Sequence, residues 1–85
     1  MLIRTRFLGP TNTKGSRIVV EPVDRRRGYR FTFPYDHSAR YPHYVAATQW
    51  WQRMKSEYKH GDDYVIGHAD SYDKGEYFLI TSPNF

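Results

Sequence analysis

RTRFLGPTNTKGSRIVVE, residues Arg4 to Glu21, is the stretch from which the fold can be read. Two runs of alternating side chains flank a loop, Gly9 to Ser16, made only of glycine, proline, hydroxyl, amide and lysine residues. A period of two marks a half-buried strand, so the stretch predicts two strands joined by a polar, basic turn. In the first strand, Met1 to Phe7, Ile3, Thr5 and Phe7 share one side and Leu2, Arg4 and Arg6 the other. In the second, Arg17 to Val23, Ile18 and Val20 share a face, with Arg17, Val19 and Glu21 opposite. Pro22 is expected to end this strand or mark an edge. The loop's N–H groups, its hydroxyls and Lys14 suit an anion. Its Lys14-Gly15-Ser16 ending nevertheless lacks the glycine spacing and the following helix of a P-loop.

Further along, Asp24 to Gly28 reads as a turn, with Gly28 available for a positive φ, leading into a third strand, Tyr29 to Phe33. There Phe31 and Phe33 point one way and Arg30 and Thr32 the other. Pro42 suits the first position of a helix, where its missing N–H costs nothing. That helix is expected to run to about Lys59, before Gly61, with Ala47, Trp50 or Trp51, Met54 and Tyr58 as its apolar stripe. Adjacent helical positions lie about 100° apart, so one tryptophan is expected at the margin of the stripe or outside it. An exposed one would be an anchor for a partner; the alternative is that it lies against a neighbouring strand. Asp63 to His68 and Glu76 to Thr81 are two more strands, with Asp70 to Gly75 as the hairpin connection. The predicted class is α+β: a small antiparallel sheet, in chain order β-β-β-α-β-β, with one helix packed on one face.

At 85 residues the chain has room for a single domain, 1–85, and its 18% aromatic content points to a thin core built from rings. Cysteine is absent, which excludes disulfides, thiolate metal sites and cysteine nucleophiles and fits a reducing compartment. No run reaches the roughly 20 apolar residues of a membrane span, and the N-terminal residues do not read as a signal peptide. The expected location is therefore cytoplasmic, without membrane association.

Thirteen basic against nine acidic residues give a net charge of +4. The alternation gathers Arg4, Arg6, Arg17 and Arg30 on the open face of the sheet. Lys14 in the loop and Arg25, Arg26 and Arg27 in the turn add to the positive half of the chain, whereas acids cluster late, at Asp62, Asp63, Asp70, Asp73 and Glu76. Two readings stand side by side. An open sheet face needs polar residues in any case, and arginines recurring on consecutive strands also suit contact with phosphates. These eight basic residues are the candidate partner-binding or nucleic-acid-binding set.

His37, His43, His60 and His68, with Asp36, Asp62, Asp63 and Asp70, are the supply for acid–base or metal chemistry. Asp36-His37 and His68-Ala69-Asp70 are pairs, but neither zincin-type nor zinc-finger spacing is present. The reading is of a protein that binds without catalysis, with no catalytic residue, metal or other cofactor assigned. A metal-dependent nuclease using Asp36 and His37 is kept as an alternative, as is a stand-alone DNA- or RNA-binding protein.

TRFLGPTNTKGSRI over Thr5 to Ile18, Pro34-Tyr35-Asp36-His37, His43 with Ala46-Ala47, and Gly75-Glu76-Tyr77-Phe78 together resemble a family of small proteins of bacteriophages, plasmids and other mobile elements. The resemblance covers most of the chain, and its N-terminal motif is the specific part. It implies a setting, the cytoplasm of a bacterial host, and supplies no mechanism. What it suggests is an accessory protein that docks on a host protein or nucleoprotein complex, or on nucleic acid, and inhibits a defence system in the manner of an anti-CRISPR protein. The basic turn Arg25 to Arg27 and the pair Trp50-Trp51 depart from the family pattern. Oligomeric state is not readable from the sequence.

Overall fold

A computed structural model gives the architecture and describes residues 1–23, 29–58, 63–72 and 75–81. Strands β1 (Leu2–Leu8), β2 (Arg17–Pro22) and β3 (Phe31–Pro34) precede helix α1 (Pro42–Met54), and β4 (Val65–Tyr72) and β5 (Gly75–Thr81) follow it. All pairings are antiparallel, in the spatial order β3-β2-β1-β5-β4. The predicted α+β class and chain order are those observed. β1 lies at the centre, paired on one side with its neighbour β2 and on the other with β5.

Register sorts the side chains. Ile3 stands opposite Phe78 and Pro22, Thr5 opposite Val20 and Glu76, and Ile18 opposite Phe33. With Ile80 these residues line the helix side, where Ala46, Ala47, Trp50, Trp51 and Met54 of α1 complete the core. Removing a ring of this size from water contributes at most about 4–6 kcal/mol, so the aromatic residues dominate the thin core.

Pro42 occupies the first turn of α1, and no side chain caps that end. The α-helix stops at Met54, and one 3-10 turn, Lys55–Glu57, leads to Tyr58 in extended conformation. This is short of the expected end near Lys59, which with Gly61 lies outside the described residues. The early stop explains a second departure from expectation. Trp50 and Trp51 are both buried, at 1% and 3% exposure. Trp50 faces the sheet and donates its indole N–H to the Tyr29 carbonyl at 2.6 Å. Trp51, one position round the helix, is covered by the rings of Tyr58 and Tyr64, at 5.2 and 5.0 Å. A helix continued to Lys59 would have carried Tyr58 along the same axis and left that flank uncovered. The exposed tryptophan anchor is therefore ruled out.

Phe7, which alternation places in the core, is 43% exposed. It lies near the end of β1, outside the core cluster, and meets the Tyr35 ring edge-on at 5.3 Å. Val19 departs the other way, fully buried although its register puts it on the face away from α1. The β4–β5 hairpin is longer than expected. β4 continues through Asp70 and Ser71, residues expected in the connection, with an irregularity between His68 and Asp70. Asp73 and Lys74 lie outside the described residues.

Candidate functional site

The arginines on the open face of β1–β3 are more constrained than a simple solvated set. Arg4 stands opposite Glu21 in register and hydrogen-bonds its carboxylate. The Arg30 Nε lies 3.7 Å from the other oxygen of the same carboxylate. Glu21 thus sits between two guanidiniums. The Arg4 hydrogen bond holds its carboxyl below the usual glutamate range, against the opposing effect of burial, and correspondingly raises the Arg4 guanidinium. Both partners are partly open to water, so the pair contributes only about 0.2–1 kcal/mol.

Arg6 stands directly opposite the buried Val19, with Thr32 on Val19's other side. Its side chain is half-buried, and its Nε is buried without a hydrogen-bond partner. Arg6 accordingly acts as cover for Val19 through its aliphatic stem as well as a charge, as long basic side chains often do. Arg17 is half-buried and donates to the Gly15 carbonyl at 3.3 Å. On this face of β1–β3, four arginines against Glu21 leave three net positive charges.

Three N–H groups of the Gly9–Ser16 loop, those of Thr11, Thr13 and Lys14, are turned inward rather than held out for an anion. The Thr11 hydroxyl oxygen accepts from the N–H of Lys14 at 3.1 Å and, more weakly, of Thr13 at 3.4 Å, while the Thr11 N–H donates to the Lys14 carbonyl at 2.7 Å. Gly9 to Gly15 are all exposed, and Lys14 is the charged side chain among them. A shallow cavity of about 370 Å³ brings Lys14 and Arg17 together beside Thr32 and Pro34. Arg25, Arg26 and Arg27 lie outside the described residues, so of the eight candidates the structure places Arg4, Arg6, Lys14, Arg17 and Arg30, all toward one side of the sheet.

Asp36 is engaged in a local turn: its Oδ1 accepts from the Ser38 N–H at 2.9 Å and the Ser38 hydroxyl at 2.6 Å. These bonds hold its carboxyl below the usual range. His37 lies beside the Tyr35 ring at 4.9 Å. Among the described residues, no three His, Asp or Glu side chains are grouped to hold a metal ion.

A polar cluster that sequence reasoning does not single out lies on the helix side. Glu76 of β5 places one carboxylate oxygen 3.1 Å from His68 Nε2 and the other 3.6 Å from His43 Nδ1. His43 Nδ1 also meets the Thr5 hydroxyl at 2.7 Å, and His68 Nε2 meets the Ser71 hydroxyl at 3.2 Å. Burial pushes the His43 pKa down, and the Glu76 charge only partly opposes it. In each case hydroxyl and carboxylate address the same ring nitrogen. A nucleophilic relay needs them on opposite nitrogens, so the cluster is built for binding or positioning rather than for activating Ser71 or Thr5. The signal is present in the chain as His43, His68 and Glu76, but each belongs to its own segment, and only the β4–β5 pairing and the packing of α1 on the sheet show that they meet.

No helix of the described residues is long and apolar enough to cross a membrane. The fold is an open-faced α+β sandwich with one basic face and one polar cluster under the helix. No family model, curated protein or solved structure matches the chain.

Proposed function

We propose that this protein binds the phosphate backbone of nucleic acid through the open face of β1–β3, without catalysis. The observation that carries the reading is the net positive charge of that face, where Arg4, Arg6, Arg17 and Arg30 recur on or beside three adjacent strands around a single glutamate. The Lys14–Arg17 cavity extends the positive surface at one end. Guanidiniums and ammoniums there meet phosphate oxygens and release condensed counterions, a sequence-tolerant mode of binding. The resemblance to mobile-element proteins supports a host nucleoprotein, such as a CRISPR effector complex, as the carrier of that nucleic acid and its inhibition as the consequence. The nuclease alternative gains no support from Asp36, whose carboxylate is engaged by Ser38.

Salt titration of binding to duplex and single-stranded DNA and RNA tests the proposal. The affinity should fall steeply with salt, with a logarithmic slope of about 0.9 per phosphate contacted on duplex DNA. Lys14→Ala with Arg17→Ala should weaken binding to all sequences alike and reduce the slope by about 1 for each phosphate no longer neutralised, at an unchanged unfolding midpoint. A salt-independent affinity, or no binding to any naked nucleic acid, sinks the direct-contact reading. Capture from a host lysate that survives nuclease treatment would point instead to a protein surface.

A further inference from the structure

On the opposite side of the sheet from the arginines, a cleft of about 530 Å³ opens between the start of α1 and the β4–β5 hairpin. The volume lies within the range of small-molecule sites. Phe78, 1% exposed, is its floor, with the Tyr44 ring at 6.0 Å and the His68 ring edge-on at 5.3 Å. At one wall the Arg40 guanidinium lies over the Tyr41 ring, 5.4 Å from its centre. Arg40 forms no ion pair with any described residue. Glu76 lines the same cleft, steadied on one oxygen by His68 and facing His43 with the other.

We propose that this cleft binds a guanine nucleotide, with the phosphate at Arg40, the base among the aromatic rings and its N–H edge on Glu76. The lining selects the class. Aromatic walls favour a planar ring, and a guanidinium held against Tyr41 suits a phosphate, which it can meet with two parallel hydrogen bonds. A cationic ligand is disfavoured because Arg40 already occupies the Tyr41 face. Each oxygen of a carboxylate has two acceptor sites, so one site per oxygen stays open after His68 and His43 are counted. Two adjacent acceptors call for two adjacent donors. Guanine offers them at N1–H and N2–H; adenine and cytosine place a bare ring nitrogen beside their amino group, and uracil flanks its single N–H with carbonyls. This ligand is a free nucleotide, since the cleft and the proposed backbone-binding face lie on opposite sides of the sheet.

Calorimetric titration of the full chain with guanosine 5′-monophosphate, adenosine 5′-monophosphate, guanosine and inorganic phosphate tests the assignment. The guanine nucleotide should bind saturably at one site, at least tenfold more tightly than each of the other three. Arg40→Ala should reduce its affinity to that of guanosine while guanosine itself is unaffected. Arg40 is an exposed residue with no ion pair among the described residues, so this variant tests the site without disturbing the core. Glu76→Gln should erase the preference for guanine over adenine. Lys14→Ala with Arg17→Ala should leave nucleotide binding unchanged, which separates this site from the backbone-binding face whatever the fate of that proposal. The assignment is overturned by an absence of saturation at millimolar guanosine monophosphate, by equal binding of the adenine nucleotide, by guanosine binding as tightly as its monophosphate, or by loss of binding in the Lys14/Arg17 variant.

Discussion

His43 shows how one side chain ties the helix to the sheet. It sits in the first turn of α1, next to the positive end of the helix dipole, with Nδ1 on the Thr5 hydroxyl and Glu76 close by. Burial lowers its pKa below the ordinary value near 6.5, so below that value the unfolded chain takes up a proton more readily than the folded one. Stability must therefore fall as the pH drops from about 6.5 toward the lowered pKa, a window above that of Glu21, whose carboxyl is itself held down by Arg4. Denaturant unfolding from pH 7.5 to 5 should show this loss, and His43→Gln should flatten the slope. A wild-type midpoint that is constant over this range would place His43 in an environment no different from water.

Among the elements, α1 and the segment after it show what is legible in the sequence. The two-residue alternation of Ile3 and Thr5, Ile18 and Val20, and Phe31 and Phe33 locates three strands and their inward faces, because register forces such patterns wherever one face is buried. Periodicity cannot locate the stop at Met54, since Lys55, Ser56 and Glu57 are compatible with continued helix. The stop follows from tertiary packing, in which Tyr58 and Tyr64 cover Trp51. Deleting that indole should cost about 3–5 kcal/mol, so Trp51→Ala is expected to lower the unfolding midpoint severely, whereas a substitution at the exposed neighbouring position Gln52 should leave it unchanged. The Thr5, His43 and Glu76 cluster is illegible for a related reason: its members come from three elements, and nothing local marks them as neighbours.

Over the whole molecule, the sheet separates two polar features: the net positive open face of β1–β3 on one side, and on the other Glu76 between two imidazoles, with Arg40 in the same cleft. Glu21 is the restraint on the positive side. Glu21→Gln should release Arg4 and Arg30, tighten polyanion binding and steepen its salt dependence, with a stability change of no more than about 1 kcal/mol. Filter-binding titrations at several salt concentrations would measure both effects, and weaker binding by this variant would count against the face assignment. The central position of β1 has a consequence for the making of the protein. β1 pairs with β2 across a short loop but with β5 only after β2, β3, α1 and β4 have been synthesised. During translation the β1–β2–β3 meander can close while the other edge of β1 waits. Closing so large a loop is an entropic cost met late, and the ladder that carries Phe78 and Ile80 into the core is the one that completes the fold. β1 is therefore held open for β5, and the cleft around Glu76 comes into being at the same step as the finished core.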